Sequence, residues 1–279
     1  MFLFFSGALA GIVLFFFLLL VLFAFSQDLV QMISPLIVAV LKDVGGPVAA
    51  GFGGAISGAV CSYVFQIKNE RKKEEKSEIS TVHKTVVCLS AQLNDLYSIK
   101  KYNIYPSREH PARFLDISKI PSNPSVTERI DPKIIDVALS VKDATIIDVL
   151  YLADARYRAC FENFSNRNLS LDEYRATLKQ SNLKKGGGHS LEELYKAVGE
   201  GQLVSLHIMT EQMIEVLDEA IQTLGEAMAK VSAVIDKKYK GTGVTSLKMN
   251  VEENEYLNST PKPYFDVESL KAYLNKFDG

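Results

Sequence analysis

The sequence predicts an all-α protein: an N-terminal transmembrane helical hairpin followed by a cytoplasmic antiparallel helical bundle. Three observations carry this. From Met1 to Ile67 the only charged side chains are Asp28, Lys42 and Asp43, whereas from Lys68 onward both signs of charge are frequent. Apolar residues beyond Lys68 recur at steps of three and four, the period of a helix face. Serine and glutamate three residues apart, and Asp-Pro, mark helix starts between these runs.

The first element, residues 2–25, has Ser6 as its polar side chain and is about 36 Å long as a helix, against a bilayer core of about 30 Å. Its about fourteen Leu, Ile, Val and Phe residues after Ser6 are worth on the order of -6 kcal/mol of insertion. Ala24-Phe25-Ser26 has the small-x-small form of a signal-peptidase site, but no Lys or Arg precedes the apolar run, and the run exceeds a signal core of about 7 to 15 residues. Residues 29–41, apolar apart from Gln31 and Ser34 and interrupted by Pro35, are too short to cross alone; they read as an interfacial or re-entrant segment, or as a third, distorted crossing.

A second expected span, residues 44–67, is free of charge after Asp43 and rich in glycine. Gly54 and Gly58 here, and Gly7 and Gly11 in the first span, form small-xxx-small motifs that let helix backbones approach, so self-association through the spans is expected. The basic flank Lys68, Arg71, Lys72, Lys73 and Lys76 places the following domain in the cytoplasm by the positive-inside rule. The chain therefore reads as a multi-pass protein of the inner, plasma membrane, with lipid as its first partner. Its modules are residues 1–67 in the membrane, 68–240 as the helical domain and 241–279 as a polar tail.

From Lys68 to Lys101 there is neither Pro nor Gly, and Ile79, Val82, Val86, Leu89, Leu93 and Leu96 keep helical spacing, which continues the second span as a helix. Pro106, Pro111, Pro121 and Pro124 then mark a long irregular connection. Asp131-Pro132 predicts a helix start, reading on through Val141, Ile147, Leu150, Tyr157 and Phe161. Ser170…Glu173 and Ser190…Glu193 predict two more. Ile214, Leu217, Ile221, Leu224, Met228, Val231 and Ile235 form an unbroken heptad seam, the core of the bundle or a coiled coil between chains. After Gly241 the chain turns polar, with a short amphipathic piece at 267–277 that reads as a docking tail.

Composition excludes some chemistry. A net charge of -2 gives no reason to expect direct nucleic-acid binding. Cys61, Cys88 and Cys160 are too scattered for a disulfide framework or zinc site and fit a reducing compartment. His83, His110, His189 and His207 have no metal-ligand spacing, and no catalytic fingerprint occurs, so no enzyme activity, catalytic residue, metal or cofactor is expected. Lys184 to Ser190, basic and glycine-rich before a helix start, is the nearest thing to an anion cradle; a flexible interhelical loop is the simpler reading. Asp148, Asp154, Arg156 and Arg158 form either a solvated face or a buried polar network.

Two glycine-rich spans without ionisable residues, at 2–25 and 44–67, a charged connector and a helical remainder resemble the two-span membrane effectors of bacterial retron-type anti-phage systems. The resemblance implies a toxin-like effector in antiviral defence, held silent by a regulatory protein or ribonucleoprotein partner such as a reverse transcriptase with its nucleic-acid product. On release it would permeabilise the inner membrane and arrest growth or kill the cell. The alternative is a membrane-tethered sensor or scaffold that recruits a cytoplasmic partner through its helical bundle.

Overall fold

The computed structural model describes residues 46–181, 183, 188–241 and 254–277, together with Leu36, Ala39, Asp43 and Val44. Among the described residues it is all-helical, without a strand. The helices are α1 (Gly46–Ile99), α2 (Arg113–Asp116), α3 (Ile134–Ser140), α4 (Thr145–Gln180), α5 (Leu191–Val198), α6 (Glu200–Lys238) and α7 (Val267–Leu274). The chain divides into two compact units, 1–75 and 76–279, and α1 contributes to both.

Among the described residues no helix is long and apolar enough to cross a membrane. That overturns the placement as a multi-pass inner-membrane protein and leaves the transmembrane hairpin without support. The physical reason is visible at 44–67: glycines and Ser57, Ser62 and Tyr63 dilute the apolar residues, and the helix runs on without a break into the charged segment after Ile67. The other expected span, 2–25, with Gly7 and Gly11, and most of the 29–41 segment lie outside the described residues.

In the unit 76–279, three long helical segments share one core. Val82, Val86, Leu89, Leu93 and Leu96 of α1 are buried with Leu150, Tyr157, Phe161 and Phe164 of α4 and with the α6 seam. Cross-helix hydrogen bonds fix the directions. Arg156 meets Thr223 and Lys230 meets Thr145, so α4 and α6 are antiparallel. Gln92 meets Asp154 and Asp95 meets Tyr157, so α1 and α4 run parallel. An all-antiparallel bundle does not form because residues 100–144, rather than a short turn, return the chain before α4 begins.

That connection is an ordered part of the core. Ile104, Phe114, Ile117, Ile120 and Ile130 are buried along it. Asn168 of α4 receives the Ile120 N–H (3.1 Å) and donates back to its carbonyl (2.6 Å), and Tyr157 Oη accepts from Val126 N while donating to Asp95. Loop backbone that no ladder satisfies is satisfied by α4 side chains, as burial requires.

Two expected helix boundaries differ. The helix predicted to run from residue 132 through Phe161 breaks at 141–144: Lys142 takes φ 58°, the Asp143 N–H reaches the Ala138 carbonyl, and Asp143 Oδ1 accepts from Thr145 N and Oγ1. Ser170…Glu173 starts nothing, since α4 continues to Gln180. Leu171 and Tyr174 carry its buried face into a second core with Phe114, Leu203, Leu206, Leu270 and Leu274, and that burial outweighs the capping signal. Ser190 and Glu193 do form a reciprocal capping box at α5. Gly199, at φ 81°, makes the corner into α6, a conformation open to glycine without a Cβ penalty.

Candidate interaction surfaces

The seven seam residues Ile214, Leu217, Ile221, Leu224, Met228, Val231 and Ile235 are all buried, against α1 and α4 of the same chain. They are not available to a partner. Gly54 and Gly58 lie on α1 with nothing within 4 Å of where a Cβ would stand, and the same holds at Gly51. On the same stretch Val48, Phe52, Ile56, Val60 and Val64 repeat every four residues and each is about half exposed, between 46 and 58%. An i+4 row of this kind is the ridge that packs into a neighbouring helix's groove.

Of the loop expected as an anion cradle, residues 184–187 lie outside the described residues, and His189 Nδ1 stands 3.7 Å from Glu193. The charges on α4 divide. Asp148 is exposed. Asp154 accepts from Gln92 and pairs with Arg158, whose guanidinium also reaches the Glu128 carbonyl. Arg156 bridges Thr223 and Glu219. These are cross-helix ties rather than a ligand pocket. Among the described residues no three His, Cys, Asp or Glu side chains stand close enough to share a metal ion. Burial pushes the Cys160 thiol up to about 12 and raises Cys88 as well, the condition of an unreactive thiol.

The spacing rules did not find three buried cations. Lys100 pairs with Asp218 and donates to the Asn258 carbonyl; Arg113 forks onto Glu211 and donates to Arg108 O and Pro261 O (3.0 and 2.8 Å). Asp218 in turn accepts the Thr260 N–H. Residues 258–261 thus complete two ion pairs of the bundle, and Leu270 and Leu274 of α7 close the second core. Arg167, fully buried, donates to the carbonyls of Phe114, Ile117 and Ser118 and to Thr210 Oγ1, and burial lowers its pKa to about 10. In sequence each is one more charge on a mixed surface; the available signal was its place on an otherwise apolar helix face.

Among the described residues of this unit two sizeable grooves stand out. One, about 840 Å³, lies between α1 and residues 128–131 and mixes Lys76, Lys84 and Arg129 with Glu128 and Asp131. The other, about 750 Å³, runs between α6 and residues 257–259, and its ionisable lining residues are all carboxylates: Asp218, Glu226 and Asp236.

These features define a helical-bundle protein braced by buried ion pairs, with a row of half-exposed apolar side chains along residues 48–64 of α1. No family model, curated protein or solved structure matches the chain.

Proposed function

We propose that this protein is a self-associating helical scaffold, which gathers copies through the first half of α1 and displays bundles that recruit a protein partner. The observation that supports the reading is the α1 stretch 48–64. A ridge of Val48, Phe52, Ile56, Val60 and Val64 and a face of Gly51, Gly54 and Gly58 lie on largely opposite sides of one exposed helix. Ridge and small-residue face are the complementary halves of a helix-to-helix contact, and both are present on every copy. Leaving five large apolar side chains half exposed costs about 1 kcal/mol or more each relative to burial, so association is favoured without any change inside the bundle.

The reading keeps self-association and partner recruitment from the sequence expectations. It sets aside membrane permeabilisation, which required two crossings. The seam cannot serve recruitment, so that role falls to the open surfaces of the bundle.

Sedimentation of the full chain tests it. The wild-type chain should run as an oligomer, and Gly54→Leu with Gly58→Leu, or Phe52→Glu with Val60→Glu, should reduce it to a monomer with an unchanged far-ultraviolet helix signal. A monomeric wild-type chain, or oligomers indifferent to both pairs of changes, would refute the scaffold.

A further inference from the structure

Residues 126–131, which lead into α3, run straight, without turn or bend, and lie antiparallel to α1. Two ties give the direction. The Ser125 N–H meets Asp95 (3.1 Å) and Cys88 Sγ meets the Glu128 carbonyl (3.8 Å), so three residues of this segment keep pace with seven of α1. Seven residues of helix cover about 10.5 Å, and three residues reach about 10 Å only when fully extended. The segment has the conformation of a strand without a partner strand.

An extended chain turns the N–H and C=O of alternate residues to opposite edges. The inner edge is bonded to the bundle: the Val126 N–H donates to Tyr157 Oη (3.3 Å), and the Glu128 carbonyl accepts from Arg158 (3.3 Å) as well as from Cys88. The outer edge then carries Thr127 and Arg129. Both residues are exposed, and among the described residues their backbone groups have no hydrogen-bond partner. Exposed edge groups of this kind are a template for a further strand, whereas a helix, with its own backbone already paired, leaves them unmet.

Beside this edge, the groove of about 840 Å³ lies where an added strand would send every second side chain. Its α1 wall has an apolar end, Val87 (66% exposed) and Ala91, and a cationic end, Lys84, His83 and Lys76; α1 contributes no carboxylate to the lining. On the facing wall Arg129 adds a cation beside Glu128, while Asp131 already accepts the Lys133 N–H (3.0 Å). No ion pair among the described residues engages Lys76, Lys84 or Arg129. The balance of unmatched charge is positive.

We propose that the outer edge at Thr127 and Arg129 is the docking site for an extended segment of a partner protein, paired through its backbone, with an apolar side chain over Val87 and an acidic one two residues on, over Lys84 and Arg129. This site supplies the recruitment that the scaffold reading requires and depends on that reading for its partner, but not on self-association: oligomer mass tests the one, peptide binding the other.

The full chain is titrated with two labelled, end-blocked decapeptides that alternate threonine with either valine and glutamate or valine and lysine. The wild-type chain should bind the glutamate peptide about tenfold or more tightly than the lysine peptide. Lys84→Glu with Arg129→Glu should invert that preference. Thr127→Pro, which removes an N–H that has no partner inside the protein, should abolish binding of both peptides at an unchanged melting temperature. Val87→Ser, at an exposed side chain, should weaken binding by about fivefold or more and keeps the test decisive if the proline disturbs the segment. Methylating alternate backbone nitrogens of the glutamate peptide, in one frame or the other, should abolish binding in at least one frame. Arg175→Glu with Lys179→Glu, on the exposed face of α4, should change nothing. Absence of binding, an uninverted preference, binding that survives methylation in both frames, or equal sensitivity to the α4 changes overturns the proposal. It is overturned too if Thr127→Pro lowers the oligomer mass, which makes a second copy the occupant. Binding only after removal of residues 1–45 or 242–253 would assign the edge to this chain's own segments and would equally refute it.

Discussion

Arg167 has no exposed surface and, among the described residues, no carboxylate partner; its charge is held by the ends of three carbonyl dipoles and one hydroxyl. Removing it orphans Phe114, Ile117 and Ser118 carbonyls and opens a cavity between α4 and the connection. Arg167→Ala is therefore expected to cost about 3–5 kcal/mol of unfolding free energy in a urea titration, far above a surface change on the same helix such as Glu162→Ala. His207 makes the opposite case. Its ring is edge-on to Phe114 (5.3 Å), its Nδ1 is buried without a hydrogen-bond partner, and burial lowers its pKa below the usual 6.5. Glu211 and Asp266 favour the protonated ring and Arg113 opposes it, and the net shift remains downward. The unfolded chain then takes up a proton that the folded one resists. Stability from this residue is present above about pH 6.5 and is lost as the pH falls below that value. Urea midpoints should be flat from pH 8 to 7 and decline from pH 7 to 5.5, with a smaller decline in His207→Phe.

Elements show where local signals win and where packing does. The break between α3 and α4 is held by Lys142 in the left-handed region, which disfavours side chains with a Cβ, followed by the Asp143 cap on Thr145. Those bonds also hold the Asp143 carboxyl below its ordinary range. Lys142→Gly should raise stability by about 1 kcal/mol, read as a higher urea midpoint at unchanged slope. The capping box at Ser190 and the heptad stripe of α6 are patterns a single helix contains, and they were legible as such. The false start at Ser170 carries the same residues in the same order; what differs is that Leu171 and Tyr174 find a second core to enter.

For the whole molecule, the described part of the polar tail, residues 254–277, is a structural strap. Its 258–261 backbone supplies acceptors and a donor to Lys100, Arg113 and Asp218, each of them buried or mostly so, and α7 caps the second core. A buried cation without its carbonyl is costly, so the strap's place is set by the bundle's needs as much as by its own two leucines. The same long-range logic makes α1 parallel to α4: the irregular connection spends its prolines on turns and its isoleucines on the core.

Composition and periodicity alone determined that the chain is helical, where α1, α5, α6 and α7 fall, and which stripe of α6 is apolar, because those properties repeat within a few residues. Tertiary structure decided the rest. It fixed whether α4 ends at Ser170 and which charges become buried clamps. Each of those outcomes depends on which distant segment arrives beside the residue, and burial and electrostatics act only once it has.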